Sequence, residues 1–157
     1  MIAETSIRLA APSDLAQLVA VSEAAGSAAH WTRPQWLDIF HSQNPPRLAW
    51  IAERPQDLET SAVGFLVVQC GSPEWELENM AVLPAFRRRG VGAALLAALL
   101  QEARTRQAER ILLEVRASNL SAIRLYGQAG FQPLARRPGY YRNPAEDALI
   151  LVHLLSN

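Results

Sequence analysis

The chain has little cysteine, no excess of either charge and no long apolar run. Its one cysteine, Cys70, cannot form an internal disulfide, so a reduced, cytoplasmic setting is the expectation. Cys70 sits in an apolar stretch and reads as a core residue. Fifteen basic residues balance 15 acidic ones. That excludes bulk nucleic-acid binding, which needs a strongly basic face, and leaves room for a local phosphate patch. Residues 1–10 lack the basic start and apolar core of a signal peptide. The most apolar stretch, 91–100, is too short to span a bilayer, which takes about 20 residues. Neither a membrane nor a nucleic-acid partner is expected. His30, His41 and His153 lack metal-ligand spacing, so no metal is expected. No tandem repeat or low-complexity tract divides the 157 residues, which read as one domain over 1–157.

What is present is Arg87-Arg88-Arg89-Gly90-Val91-Gly92, between a strand-like run and a long apolar helix. Alternation over 75–82 predicts a strand, and helical spacing follows over 91–108. A glycine loop between strand and helix lets several N–H groups converge on one anion, and the helix start adds about half a positive charge. No Gly-Lys-Ser/Thr or Gly-x-Gly-x-x-Gly is present, which excludes the two common nucleotide loops. A basic surface turn explains the loop alone equally well.

Elsewhere the pattern predicts strands at 2–9, 48–53, 62–70, 75–83, 111–116, 132–136 and 148–155. Helices are expected after Ser13 as cap, after Thr32 with Pro34 in its first turn, and after Ser118-Asn119, closed by Gly130. Residues 54–61 read as a polar hairpin loop. Early hairpins and a later parallel crossover describe an α/β domain with a mixed sheet.

Glu114 lies in an apolar strand, where a carboxylate is costly unless paired or used. It reads as an ion-pair partner of an arginine, or as a general base at the strand's C-terminal end. Tyr126 follows on the next helix. It is an aromatic packing residue or a proton donor. Asn119 opens that helix as a cap. Glu74, Glu76 and Glu78 form an acidic row on one strand, either a solvated face, a patch for a basic peptide, or a source of the base. Glu146-Asp147 add to the acidic character. Trp31, Trp36, Tyr140 and Tyr141 are packing residues or walls of a peptide groove.

These residues carry a resemblance. Arg87-x-x-Gly90-x-Gly92 resembles the acetyl-CoA pyrophosphate loop of the GCN5-related N-acetyltransferases (GNAT), and Glu78 to Pro84 resembles the strand before it. Leu113-Glu114-Val115-Arg116-Ala117-Ser118-Asn119, with Ala122 to Tyr126 and Gly130-Phe131, is similar to the RimI branch, the ribosomal-protein-alanine N-acetyltransferases. Tyr140-Tyr141, Glu146-Asp147-Ala148 and the substrate-side loop His30-Trp31-Thr32 fit the same branch. Glu78 departs from it, standing where an apolar or aromatic residue is common. Leu83 departs too, at a position that is often acidic.

The resemblance implies a GNAT fold, a central mixed twisted sheet of about seven strands flanked by about four helices. It implies that the fourth and fifth strands splay around the cofactor, acetyl-CoA. Met80, Ala81 and Val82 would bind the pantetheine arm through their backbone, Arg88, Arg89, Gly90, Val91, Gly92 and Ala93 the pyrophosphate, and Asn119 the cofactor near the next helix. Glu114 would be the general base and Tyr126 the acid for the departing thiolate, with Glu78 as competitor for the base. The implied acceptor is the N-terminal alanine of a small-subunit ribosomal protein. A peptide α-amine titrates near ~8 and lysine near ~10.4, a gap of about 3.3 kcal/mol in favour of the N-terminus. Acetyl transfer to a lysine or small amine is the second reading, and a non-catalytic coenzyme A-binding module the third.

Overall fold

The computed structural model describes residues 4–26, 29–41 and 43–155. In chain order the elements are β1 (Ser6–Leu9), α1 (Leu15–Ala25), α2 (Arg33–His41), β2 (Arg47–Gln56), β3 (Glu59–Cys70) and β4 (Glu74–Val82). Then come α3 (Val91–Thr105), β5 (Arg110–Arg116), α4 (Leu120–Gln128), β6 (Gln132–Tyr141) and β7 (Glu146–Leu154). The strands form one seven-stranded sheet in the order β1-β2-β3-β4-β5-β7-β6. Only β4 and β5 run parallel, joined by α3. This is the expected mixed sheet with four helices.

Two apolar layers sandwich the sheet. On one face Leu18, Val21 and Ala25 of α1 and Trp36 and Ile39 of α2 pack on Ile51, Phe65, Val67 and Ala81. On the other, Leu95, Leu96 and Leu99 of α3 pack on Leu66, Trp75, Leu77 and Leu113, with Leu125 and Tyr126 of α4 alongside. β3 is buried without a break from Ala62 to Val68 because both of its faces are covered.

The feature that makes a site is a gap. β4 and β5 pair only from Glu74↔Arg110 to Leu77↔Leu113. Leu77 pairs with Val68 of β3 while Asn79 pairs with Val67, so Glu78 is an extra residue in a bulge. A bulge bends its strand and raises the local twist. Beyond it β4 stays with β3 and β5 stays with β7, and the two diverge. The crevice opens at the carboxyl ends of these strands, where α/β sheets bind ligands.

Several boundaries differ from the sequence reading. Ser13 is not the cap of α1. Residues 12–14 form a 3-10 turn, and Asp14 stands at the helix start. Its carboxylate accepts from Ala11 N (2.7 Å) and from the Arg8 guanidinium (2.8 and 2.9 Å). The expected 54–61 loop is mostly strand, leaving 57–58 as the turn, with Asp57 at φ 57°. α3 stops at Thr105 rather than Ala108, and β6 runs on to Tyr141. The expected first strand starts at Ile2; residues 1–3 lie outside the described residues, and the strand seen starts at Ser6. Thr32 does cap α2: Thr32 N donates to Gln35 Oε1 (2.8 Å) and Gln35 N to Thr32 Oγ1 (3.5 Å). The sequence contains no lysine, so every ion pair among the described residues uses a guanidinium.

Candidate active site

The glycine loop delivers an open helix start. Ala94 is the first N–H of α3 to reach a helical acceptor, Gly90 O at 3.0 Å. No side chain caps the helix, and Gly90 takes the left-handed conformation, φ 83°. Its position has open space around it, with nothing within 4 Å of where a Cβ would lie. The N–H groups of Val91, Gly92 and Ala93 in the first turn therefore lack intrahelical partners. Arg88 and Arg89 are exposed beside them. The loop borders a cleft of about 610 Å³. Arg87 does something else: its guanidinium donates to Val82 O (3.1 Å) and to Ala25 O (2.8 Å), tying the loop to β4 and α1. Gly92 also has a packing role, since a Cβ there would lie 2.8 Å from Leu125 Cδ2 and 3.2 Å from Met80 Cε.

Met80, Ala81 and Val82 pair with Leu66, Phe65 and Gly64 of β3. Among the described residues no strand pairs their other edge, because β5 has left. Their remaining backbone groups face the gap. Asn119 caps α4, its Oδ1 accepting from Ala122 N at 3.3 Å. The turn before it is fixed by Glu146, which accepts from Ser118 N (2.8 Å) and Oγ (2.6 Å). Asp147 accepts from Arg136 Nε (2.6 Å) and Gly139 N (2.9 Å). Both carboxylates serve their own turns.

On the α2 face a cleft of about 450 Å³ opens, lined by Trp31, Asp38, Arg47, Glu76, Glu114 and Tyr140 among others. Glu114 faces it because Leu113 and Val115 point into the opposite core. Arg137 Nη1 lies 3.3 Å from Glu114 Oε1, so the expected arginine partner exists and comes from β6. The hydroxyl of Tyr140 is close enough to the Glu114 carboxylate that the latter raises its pKa. Glu78 is bound in two places to Arg47, at 2.6 and 3.2 Å. Glu74 pairs with Arg110 at 2.6 Å. Glu76, between them, has no ion pair among the described residues. Burial raises its pKa, helped by the charges of Glu78, Glu114 and Glu74. The acidic row is thus two paired carboxylates around an unpaired one.

Tyr126 lies on the other face, edge-on to Phe131 with ring centroids 5.9 Å apart. Burial pushes its pKa up to about 12, with a smaller push from Tyr141. The phenol is protonated at neutral pH. Glu114 and Tyr126 therefore stand on opposite faces of the sheet, Glu114 in the cleft and Tyr126 in the layer that α4 shares with α3. Burial pushes the Cys70 thiol up to about 11, so it stays protonated at neutral pH. No group of three or more His, Cys, Asp and Glu with metal-binding geometry exists among the described residues. No helix among them is long and apolar enough to cross a membrane.

Two participants escaped the sequence reading. Arg47 is 31 positions from Glu78 and nothing local marks the pair. Asn79 is 3% exposed, and neither its Nδ2 nor its Oδ1 has a hydrogen-bond partner. A polar residue inside an alternating apolar strand was the signal that could have exposed it.

The model of the acetyltransferase (GNAT) family matches residues 16–131. The chain belongs to the GNAT family. The [ribosomal protein bS18]-alanine N-acetyltransferase of Salmonella typhimurium is 44% identical over 89 residues, 55% of this chain and 60% of that protein. The matched stretch thus spans about three-fifths of the curated relative's length. The crystal structure of the ribosomal-protein-S18-alanine N-acetyltransferase from Escherichia coli has a TM-score of 0.85 at 29% identity, covering 98% of this chain and 96% of the other. Ard1 from Thermoplasma volcanium follows at 0.81 and 28%, covering 98% and 99%. The fold and the family agree with the open strand edge, the uncapped helix and the two-sided crevice.

Proposed function

We propose that this GNAT protein is an acetyl-CoA-dependent N-terminal acetyltransferase whose acceptor is the alanine amine of a small-subunit ribosomal protein such as bS18. The cytoplasm, where ribosomal proteins are made, is its place of work. The carrying observation is the placement of Glu114 and Tyr126 on opposite faces of one sheet. An acceptor entering from the α2 face meets a carboxylate. A thioester lying along the gap meets a protonated phenol from the α4 face.

Acetyl-CoA supplies the acetyl group as an activated thioester. This chain's residues fit it: the first-turn N–H groups of α3 with Arg88 and Arg89 suit its phosphates, and the unpaired edge of Met80 to Val82 suits an amide-bearing arm. Glu114 takes the proton that the amine loses, through water or directly, and Tyr126 gives one to the leaving sulfur. A thiol titrates near ~8.5, so a buried tyrosine donates only as negative charge develops on sulfur. Arg47 grips both oxygens of Glu78, whereas Arg137 meets Glu114 at one oxygen, 3.3 Å away, which favours Glu114 over Glu78 as the base.

The test offers acetyl-CoA with two peptides and reads mass. One peptide starts with a free alanine in the ribosomal-protein context, and the other has a blocked N-terminus and one internal lysine. Acetylation of the free N-terminus alone is expected. Acetylation of the lysine alone moves the chain to side-chain amines. Cofactor binding with no product from any amine leaves a binding module. In the same assay Glu114→Gln is expected to lose about 100-fold or more in kcat/KM, and Glu78→Gln to lose far less.

A further inference from the structure

Asn79 is the one fully buried carboxamide whose donor and acceptor both lack partners among the described residues. Such a group is costly in a dry interior, so its retention needs a polar visitor. Its place in the fold says which. The bulge at Glu78 rotates the strand, so Asn79 shares a face with its partner Val67 and with Ala81, the face of α1 and α2. Glu114 projects from the same face on the other side of the gap. Asn79 is two residues past the last β4–β5 rung, Leu77↔Leu113. Glu114 lines the acceptor-side cleft, and the buried Asn79 amide lies behind that lining at the root of the opening.

We propose that Asn79 is a positioning residue of the acceptor site, holding a water between the incoming amine and Glu114. This rests on the acetyltransferase reading above. A carboxamide suits the task because it accepts one water hydrogen through Oδ1 and donates to the water oxygen through Nδ2. The proton balance is complete. As the C–N bond forms and the C–S bond breaks, the amine gives a proton to the water. The water gives one to Glu114, and Tyr126 protonates the thiolate. The charged groups facing this path are Asp38, Glu76, Glu78, Arg47 and Arg137, with the phenols of Tyr140 and Tyr141 beside them.

The test compares Asn79→Leu, close in size and apolar, with Asn79→Ser, small and able to hold water. The Leu variant removes an unmet polar group, so its thermal midpoint is expected to hold or rise. Its acetyl-CoA affinity is expected to be unchanged, while kcat falls about tenfold or more. The acid limb of its pH profile moves up toward the amine's own pKa near ~8. The Ser variant regains part of both. A Leu variant with wild-type kcat and pH profile overturns the proposal. So does a loss confined to acetyl-CoA affinity, which puts Asn79 on the cofactor. A crystal structure of the wild-type protein with coenzyme A reads the same question without turnover. A water within hydrogen-bond reach of Asn79 and facing Glu114 supports the role. A dry Asn79, or one bonded to the cofactor, overturns it. If wild-type protein acetylates no amine, the enzymatic reading falls on that result alone, and the crystallographic answer still decides whether Asn79 seats water.

Discussion

Tyr126 and Gly92 look alike in sequence, as motif residues, yet their roles are separable one side chain at a time. Tyr126→Phe keeps the ring against Phe131 and removes only the proton. It is expected to lower kcat by about 100-fold while leaving the thermal midpoint and acetyl-CoA binding nearly unchanged. Steady-state kinetics beside a ligand-binding titration checks this. Gly92→Ala should act on stability instead. The new methyl would meet the flexible ends of Leu125 and Met80, which must turn aside, at a cost of no more than about 1 kcal/mol read by denaturant unfolding. Glu114 and Tyr126 could be named from sequence because a strand, a turn and a helix a dozen positions apart carry both, and the strand-to-helix order is seen as expected. The Arg47 partner of Glu78 and the facing of Asn79 were not legible. Their pairing and facing depend on the register between strands far apart in sequence, and on one bulge that reverses which side of the sheet a residue sees. Alternation alone gives a period, and a single inserted residue changes its phase.

Elements were legible in kind and less so at their ends. The expected cap at Ser13 failed because Arg8, on the neighbouring strand, recruits Asp14 instead, and Glu53 of β2 joins the same guanidinium. This three-residue hub fastens β1, the turn before α1 and β2. It also gives the fold a pH dependence. The Arg8 guanidinium holds the Asp14 pKa below its ordinary 3.8, with burial opposing and Ala11 N helping. The contribution is complete above the unfolded value and is lost as pH falls through the lowered folded value. His153 adds a second window. Burial depresses its pKa, so stability drops as pH falls below the ordinary 6.5, where the unfolded chain takes up a proton first. Thermal midpoints measured from pH 8 to pH 3 are expected to fall in two stages, with the His153 stage absent in His153→Gln. The hairpin at 54–61 was read too short for a related reason: exposed polar residues such as Glu59 and Thr60 look like loop until their ladder to β2 is known.

At the scale of the molecule, net neutrality conceals a polarised active site. The α2 face of the opening gathers Asp38, Glu76, Glu78 and Glu114 against Arg47 and, at its edge, Arg137. An acceptor bringing a cation is therefore favoured. Alanine-led peptides with arginine at the second position are expected to show a KM roughly fivefold below those with glutamate, about 1 kcal/mol, and the gap should shrink at high salt. A KM ordering that is flat, or unmoved by salt, would remove electrostatics from substrate choice.

The all-arginine ion pairing has a consequence for a protein that spends its life beside an acetyl donor. A guanidinium stays protonated at any physiological pH and offers no lone pair to a thioester. With no lysine, no side chain holding the fold together is open to acetylation, either by this protein or by free acetyl-CoA. Lysines in those pairs would lose their charge one by one as donor accumulated. As built, the protein offers no side-chain amine to an acetyl donor, so lysine-amide products in such an assay belong to the substrate.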